Sequence, residues 1–344
     1  MTKQHAETTD QTHGPRRTGD LQRTAGAGQA EGSERTATSA RTQRPEHTGP
    51  TVAVLGPGGV GGLIAALLSR SGHRVICLAR KDTADTLRTD GIQVRSRRFG
   101  DFTAPVEADT ELREPVDACL VTVKHTGLDD ALARVPAAAL GDALLVPFLN
   151  GVEHPAALRA RYRPALVAPA VIRVESTRTA PGVIEHGSPF MEIDLAGDTA
   201  PRARLDALAA TLSAAGPATR VVEDETAALW AKMAFLAPLA LLTTRYGLPL
   251  GEVRDRYDGE LRSLVAETAA VSRACGAPAD PAAALARYAA FPAATRSSMQ
   301  RDAEAGRPLE VDAIGGALLR AAARHGVPVP VAARIVGELR GGGL

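Results

Sequence analysis

Hydrophobic and polar positions change rhythm twice along the 344-residue chain. Residues 1–50 mix Thr, Gln, Gly, Arg and Glu without an aromatic residue, and Leu21 is their only large aliphatic after Met1. Such a stretch cannot bury enough apolar surface to offset chain entropy. It reads as a disordered extension or a mis-assigned start, a regulatory or docking arm being the other reading. It lacks the apolar run of a secretory signal and carries too many acids for a transit peptide. From Thr51 the pattern predicts order. Val52 to Leu55 is apolar without polar alternation, as in a strand buried on both faces. A glycine-rich turn follows, then a helix over 63–69 (LIAALLS) ending at Gly72 and a second strand over 73–79 (HRVICLA). Together they make one βαβ unit of about thirty residues.

The rhythm continues with strands over 118–123 and 143–149, and helices over 128–135 and 155–162. A β-rich stretch over 165–195 is punctuated by Pro181-Gly182 and His186-Gly187, and a helix over 204–214 precedes a last strand over 219–222. From about Asp224 helical periodicity takes over: 226–244, 251–275, 281–290, 295–305, 311–325 and 331–340. Gly276, Gly306 and Gly326 stand at C-termini, and Pro281 stands near a start. The expected architecture is an extension (1–50), an α/β Rossmann domain with a parallel, doubly wound sheet (51–223) and an all-α C-terminal domain (224–344). The active site is expected in the cleft between the two ordered domains.

Composition narrows the function. Hydrophobic residues make up 44% and charged residues 23%, as in soluble globular proteins, while aromatics are only 3%, so the core must be built from small aliphatic contacts. A net charge of +1 gives no global field toward nucleic acid or membrane, and neither is expected as a partner. No apolar run approaches about twenty residues, and the longest, 233–242, reads as a buried helix. Cys77, Cys119 and Cys275 form no CxxC pair and no zinc set, and the first two fall in runs read as buried strands. A reducing, cytoplasmic setting fits; a homodimer is compatible.

Gly56-Pro57-Gly58-Gly59-Val60-Gly61 matches GxGxxG. Among 33 glycines the match alone is weak, but it directly follows a buried strand and opens a helix, as dinucleotide binding requires. Gly56 permits the tight turn, Gly58 the approach of pyrophosphate, and Gly61 close helix–strand packing. The helix N-terminus offers free N–H groups to phosphate. At the end of the second strand stand Arg80 and Lys81, with no acid before Asp82. A guanidinium grips a 2′-phosphate that a carboxylate would repel, so NADP(H) is favoured; the alternative is a solvated basic pair. Lys124 and Asn150 end two later strands and face the same cleft, as groups for phosphate and for ribose or substrate, or as ordinary loop residues.

Lys232 is the only charge between Glu225 and Arg245, in a helix that is otherwise almost entirely apolar. A lone lysine there must face a cleft, a partner or the solvent edge, and desolvation would draw its pKa toward neutrality, as suits a general acid. Glu310, at a helix start, serves equally as a first-turn carboxylate or a catalytic one; the same ambiguity holds for Ser298.

These features come in an order that resembles the ketopantoate reductases (2-dehydropantoate 2-reductases) from Val52 to about Leu339. They are the Gly56 loop, Arg80, Val123-Lys124, Asn150-Gly151, Leu229-Trp230-Ala231-Lys232, the 297–302 run SSMQRD and the 310–316 run EVDAIGG. The resemblance implies NADPH-dependent reduction of a 2-oxo acid and a place in pantothenate biosynthesis. Lys232 would protonate the alkoxide, Glu310 would bond the substrate's distal hydroxyl and Lys232, and Ser298 would hold the carboxylate. Asn150 would lie between cofactor and substrate, with Arg80 and Lys124 on NADP phosphate. Departures are equally specific. Leu236 and Ala240 stand where the family has asparagines one and two turns after the lysine, Thr295 stands for another Asn in the substrate site, and Gly127 stands for a Gln. Losing those amides disfavours a hydroxylated substrate and points to a less polar carbonyl compound as the alternative. A non-catalytic NADP(H)-binding protein is the reading from another class.

Overall fold

The structure, a computed structural model, describes residues 49–341. The expected extension falls almost entirely outside the described residues. The N-terminal half contains β1 (Val52–Leu55), α1 (Gly59–Arg70), β2 (Val75–Leu78), α2 (Lys81–Asp90), β3 (Ile92–Ser96), β4 (Phe102–Ala104), β5 (Glu107–Asp109) and β6 (Ala118–Val121). It continues with α3 (Leu128–Leu132), α4 (Ala137–Leu140), β7 (Leu144–Pro147), α5 (His154–Arg161), β8 (Ala170–Arg173), β9 (Ser176–Ala180), β10 (Val183–His186), β11 (Glu192–Leu195), α6 (Arg202–Ala215) and β12 (Ala218–Val221).

The central sheet has the order β5-β2-β1-β6-β7, and every pair in it is parallel. Its strands are fully buried runs, so helices must cover both faces; apolar clusters on either side, one containing Leu63 and Leu67, the other Leu128 and Leu158, are that covering. Cys77 and Cys119 pack inside these strands as small hydrophobes, as expected. Two further sheets carry antiparallel pairs. One is β4-β3-β10-β9, whose strands lie against α1, and the other is β12-β11-β8, tied to β7 through a bridge between Leu145 and Val167. β3 and β4 of the first of these fall, with α2 and β5, in residues 81–109, where the apolar pattern predicts nothing. There half of the residues of α2 are charged, β4 and β5 are three residues each, and only β3 alternates.

The second half is helical: α7 (Glu225–Tyr246), α8 (Leu250–Arg256), α9 (Asp258–Ala274), α10 (Pro281–Ala290), α11 (Ser298–Glu304), a five-residue π-helical stretch (Asp312–Gly316), α12 (Ala317–His325) and α13 (Pro330–Arg340). The helix expected over 251–275 is two helices. The break is at Tyr257, whose ring stacks on Tyr246 with centroids 3.6 Å apart, while Val253, Tyr257 and Leu261 keep the apolar rhythm unbroken across it. The segment over 311–325 starts as π-helix, a local widening found often at functional positions. α7 is the axis of this half, packed on α9, α11 and α13. At 22 residues it is longer than the 233–242 run suggests, and long and apolar enough to cross a membrane. Here it is a core helix, with Met233, Ala237, Leu241 and Leu242 almost wholly enclosed. Pro238 removes one N–H from its ladder, and the Tyr288 hydroxyl donates to the Phe235 carbonyl beside that gap.

Candidate active site

β1 delivers the chain into a turn at Gly56, whose φ of 82° lies where side chains are strained. The Thr122 hydroxyl, at the end of β6, donates to the carbonyls of Leu55 (3.0 Å) and Gly56 (2.8 Å) and clamps this turn. A Cβ on Gly61 would collide with that hydroxyl, and one on Gly59 with the Ser176 carbonyl, so both glycines are needed for packing. Gly58 differs: beside it a Cβ would meet nothing nearer than the Gly56 carbonyl at 3.9 Å. The loop is tight where helix and strands approach and open beside Gly58. The first-turn N–H groups of α1, at Gly59, Val60 and Gly61, lie beyond the reach of its i→i−4 ladder. Free N–H groups beside an open glycine are the features that fit a pyrophosphate. Arg80, at the end of β2, is exposed and its guanidinium has no partner among the described residues, whereas Lys81 is paired with Asp85 at 2.7 Å. The residues present therefore fit a phosphorylated dinucleotide.

The ends of β6 and β7 meet the helical half directly. The Glu310 carboxylate, 5% exposed, accepts from the His125 backbone N–H (2.9 Å) and from Asn150 Nδ2 (2.9 Å), so each oxygen is fixed by one strand end. The turn after Asn150 presses so closely on Ala313 that a Cβ on Gly151, at φ 89°, would strike the Ala313 carbonyl. Lys124 bonds both oxygens of the buried Asp302 at 2.5 Å, and Arg307 Nε reaches the same carboxylate at 2.8 Å. A buried carboxylate needs such compensation. The structure thus places Lys124 in an ion pair that joins the two halves.

Lys232 lies one-third of the way along α7 and is partly exposed, yet enough protein surrounds it for desolvation to pull its pKa down to about 8. Glu310 opposes that shift and Arg173 adds to it. Lys232 thus keeps some solvent contact while protein crowds its ammonium. Its ammonium makes no hydrogen bond or ion pair among the described residues.

The substrate-side residues are less uniform. Leu236, one turn beyond Lys232, is partly exposed, but Ala240 is fully enclosed in the helical core. Ser298 is the exposed first residue of α11. Its neighbour Ser297 is the buried cap, accepting from the Gln300 N–H (3.0 Å) and from the Thr243 hydroxyl (2.8 Å). Thr295 is half-buried, with its backbone carbonyl accepting from Leu250 N–H. Neither Ser298 nor Thr295 has a side-chain hydrogen bond among the described residues. Sequence reasoning gave no part to Thr122, His125, Asp302 or Ser176, which fix the turn and join the halves. Asp302 stood in the quoted SSMQRD run, but its partner is 178 positions away.

The chain is similar to known proteins over both halves. Residues 52–195 match the family described as "Ketopantoate reductase PanE/ApbA", and residues 224–342 match its C-terminal counterpart. A 2-dehydropantoate 2-reductase of Caulobacter vibrioides is 29% identical over 301 residues, covering 86% of this chain and 99% of that one. The crystal structure of a PanE/ApbA family ketopantoate reductase from Ralstonia eutropha JMP134 superposes with a TM-score of 0.76 at 29% identity, covering 84% of this chain and 97% of that one. A ternary structure of D-mandelate dehydrogenase shares the fold, with a TM-score of 0.77 at 18% identity over 85% of this chain and 97% of that one.

Proposed function

The chain belongs to the ketopantoate reductase family of oxidoreductases acting on CH–OH groups, and from that premise we propose that it reduces the ketone of a 2-oxo acid to the 2-hydroxy acid with NADPH, 2-dehydropantoate to pantoate being the first candidate. One observation carries the reading. An unbonded, desolvated ammonium on α7 sits within electrostatic reach of a carboxylate that both strand ends of the dinucleotide half hold in place.

Ketopantoate reductases use NADPH. In this chain Gly56, Pro57, Gly58, Gly59, Val60 and Gly61 would hold the pyrophosphate, Arg80 the 2′-phosphate, and Asn150 the nicotinamide side. Lys124 would reach phosphate by exchanging its bond to Asp302. When bound, the cofactor supplies the hydride that reduces the carbonyl carbon. The chain's own groups do the rest. The Lys232 ammonium donates a hydrogen bond to the carbonyl oxygen and gives that oxygen a proton as it becomes an alkoxide. A pKa of about 8 leaves it mostly protonated at pH 7 but close enough to neutrality for ready transfer. Glu310 favours the charged form. After product leaves, Lys232 regains its proton from solvent through its exposed side. Ser298 would bind the substrate carboxylate, and Thr295 its polar groups.

A second reading has its own support. Leu236 presents partly exposed apolar surface one turn from Lys232, where a substrate hydroxyl would find no partner. This favours a 2-oxo acid with an apolar side chain. Loss of NADPH absorbance, followed with ketopantoate and with unhydroxylated aliphatic and aryl 2-oxo acids, separates the two. Turnover restricted to the unhydroxylated compounds selects the second reading. Tight NADPH binding with no turnover of any of them overturns both. Lys232→Ala should lower kcat by about 10²-fold or more, and a near-normal rate would remove Lys232 from the mechanism.

A further inference from the structure

Two short segments, 150–153 and 310–313, meet at three points. The Asn150 amide donates to Glu310 Oε2 at 2.9 Å. The turn at Gly151 presses on the Ala313 carbonyl. The third point lies outside the site described above. Arg320, from α12, donates from Nε to Glu153 Oε1 (3.2 Å) and from one terminal nitrogen to Glu153 Oε2 (2.7 Å), while its other terminal nitrogen reaches Asp312 Oδ1 at 3.0 Å. The same guanidinium bonds the Asp312 carbonyl at 3.2 Å. Arg324 adds to Glu153 at 3.5 Å, and Arg340, from α13, adds to Asp312 at 2.5 Å. A Cβ on Gly316 would press into this cluster, against Asp312, Arg340 and Arg320, so the glycine leaves room for it. Single ion pairs at a surface hold little, but a planar fork bonded to two carboxylates within a network fixes their relative positions. Such a fixture matters here. Residues 150–153 belong to no strand or helix apart from leading into α5, and among the described residues no strand ladder joins them to 310–313.

We infer that Arg320 is a positioning residue: by spanning Glu153 and Asp312 it clamps the 150–153 loop onto the 310–313 segment, and so keeps Asn150 and the Glu310 carboxylate in register with each other. The catalytic consequence rests on the reductase reading, in which Glu310 and Asn150 face the substrate. Arg320 itself touches neither. It acts through the backbone, three residues on from Asn150 and two on from Glu310. Its guanidinium also holds the carboxyls of Glu153 and Asp312 below their ordinary values, so both stay charged at neutral pH and the clamp stays closed there. Arg320 is exposed and lies outside the apolar core, so its removal opens no cavity.

The test reads the Glu310 carboxylate through a bond that it makes elsewhere. The His125 backbone N–H donates to Glu310 Oε1, so its hydrogen exchange, followed by NMR in the full chain without added cofactor or substrate, reports whether that carboxylate is in place. The Thr122 N–H, bonded to the Leu55 carbonyl within the central sheet, is the control. Arg320→Ala should speed exchange at His125 roughly tenfold and leave Thr122 at its native rate. Assayed for NADPH oxidation with the 2-oxo acid that the native chain turns over, the same variant should show kcat lowered roughly tenfold, with NADPH affinity within about threefold of native. A native exchange rate at His125, or a native kcat, overturns the inference. Equal acceleration at Thr122 also overturns it, because that marks a general loosening rather than a displaced carboxylate. Should Arg320→Ala fail to fold, Glu153→Gln decides by the same two amides, since a clamp needs both of its ends: faster exchange at His125 alone supports the inference, and native exchange there rejects it. If the native chain turns over no 2-oxo acid, the reductase reading fails instead, and the amide rates still decide whether Arg320 holds Glu310 in place.

Discussion

Replacing Lys232 with methionine should make the protein more stable while removing its catalytic acid. Methionine matches the length of the lysine stem and carries no charge, so the substitution isolates the cost of holding a crowded ammonium on α7. That cost follows from the drop of the Lys232 pKa from 10.5 to about 8. Converted at about 1.4 kcal/mol for each tenfold in proton affinity, it has a ceiling of about 3 kcal/mol. Partial exposure screens part of it, and about 1.5–2 kcal/mol is the expected gain at pH 7. The pH dependence has a definite sign. Between pH 8 and 10.5 the unfolded chain binds more protons at this site than the folded one, so native stability rises with pH across that window. Below pH 8 both states carry the charge and the native protein bears the full penalty; above 10.5 neither does. The advantage of Lys232→Met should therefore be constant from pH 6 to about 7.5 and disappear as pH approaches 10.5. Urea unfolding of both proteins across this range, with midpoints and slopes compared, measures it. A methionine variant less stable at pH 7, or an advantage that does not shrink on the alkaline side, would refute the argument that Lys232 is desolvated. Sites that carry such a penalty are expected where function requires the charge.

Three other outcomes follow from the geometry. Arg80→Ala should weaken NADPH binding about 10- to 100-fold and NADH binding far less, by titration of intrinsic fluorescence; equal losses would contradict the 2′-phosphate role. Gly61→Ala drives a Cβ into the Thr122 hydroxyl and the Gly56 carbonyl, and should cost about 1–3 kcal/mol in denaturant unfolding, with weaker NADPH binding; a neutral result would show that the helix can withdraw from the strand. Leu236→Asn should raise kcat/KM for ketopantoate relative to its unhydroxylated analogue by about tenfold, and an unchanged ratio would place Leu236 outside the substrate site.

The primary sequence already determined the dinucleotide half and the character of the helical half. Val52–Leu55 followed by GxGxxG leaves little freedom, because an unalternated apolar run must be buried on both faces and the glycines mark where backbone approaches backbone. The lone charge of Lys232 in an apolar helix was equally legible, since a desolvated ammonium must face a cleft, a partner or the solvent edge. Tertiary structure alone decided the rest. Periodicity carried no sign of the break at Tyr257, because the apolar rhythm runs through it and the stacking partner Tyr246 lies in another helix. Residues 81–109 were silent because three-residue strands and a charged helix take their structure from neighbours far along the chain. Glu310 had two equal readings until folding brought His125 and Asn150 to its two oxygens, and Lys124 acquired Asp302 in the same way. Local propensity acts over a few residues, whereas a hydrogen-bond partner 160 or 185 positions away exists only once the two halves have closed on each other.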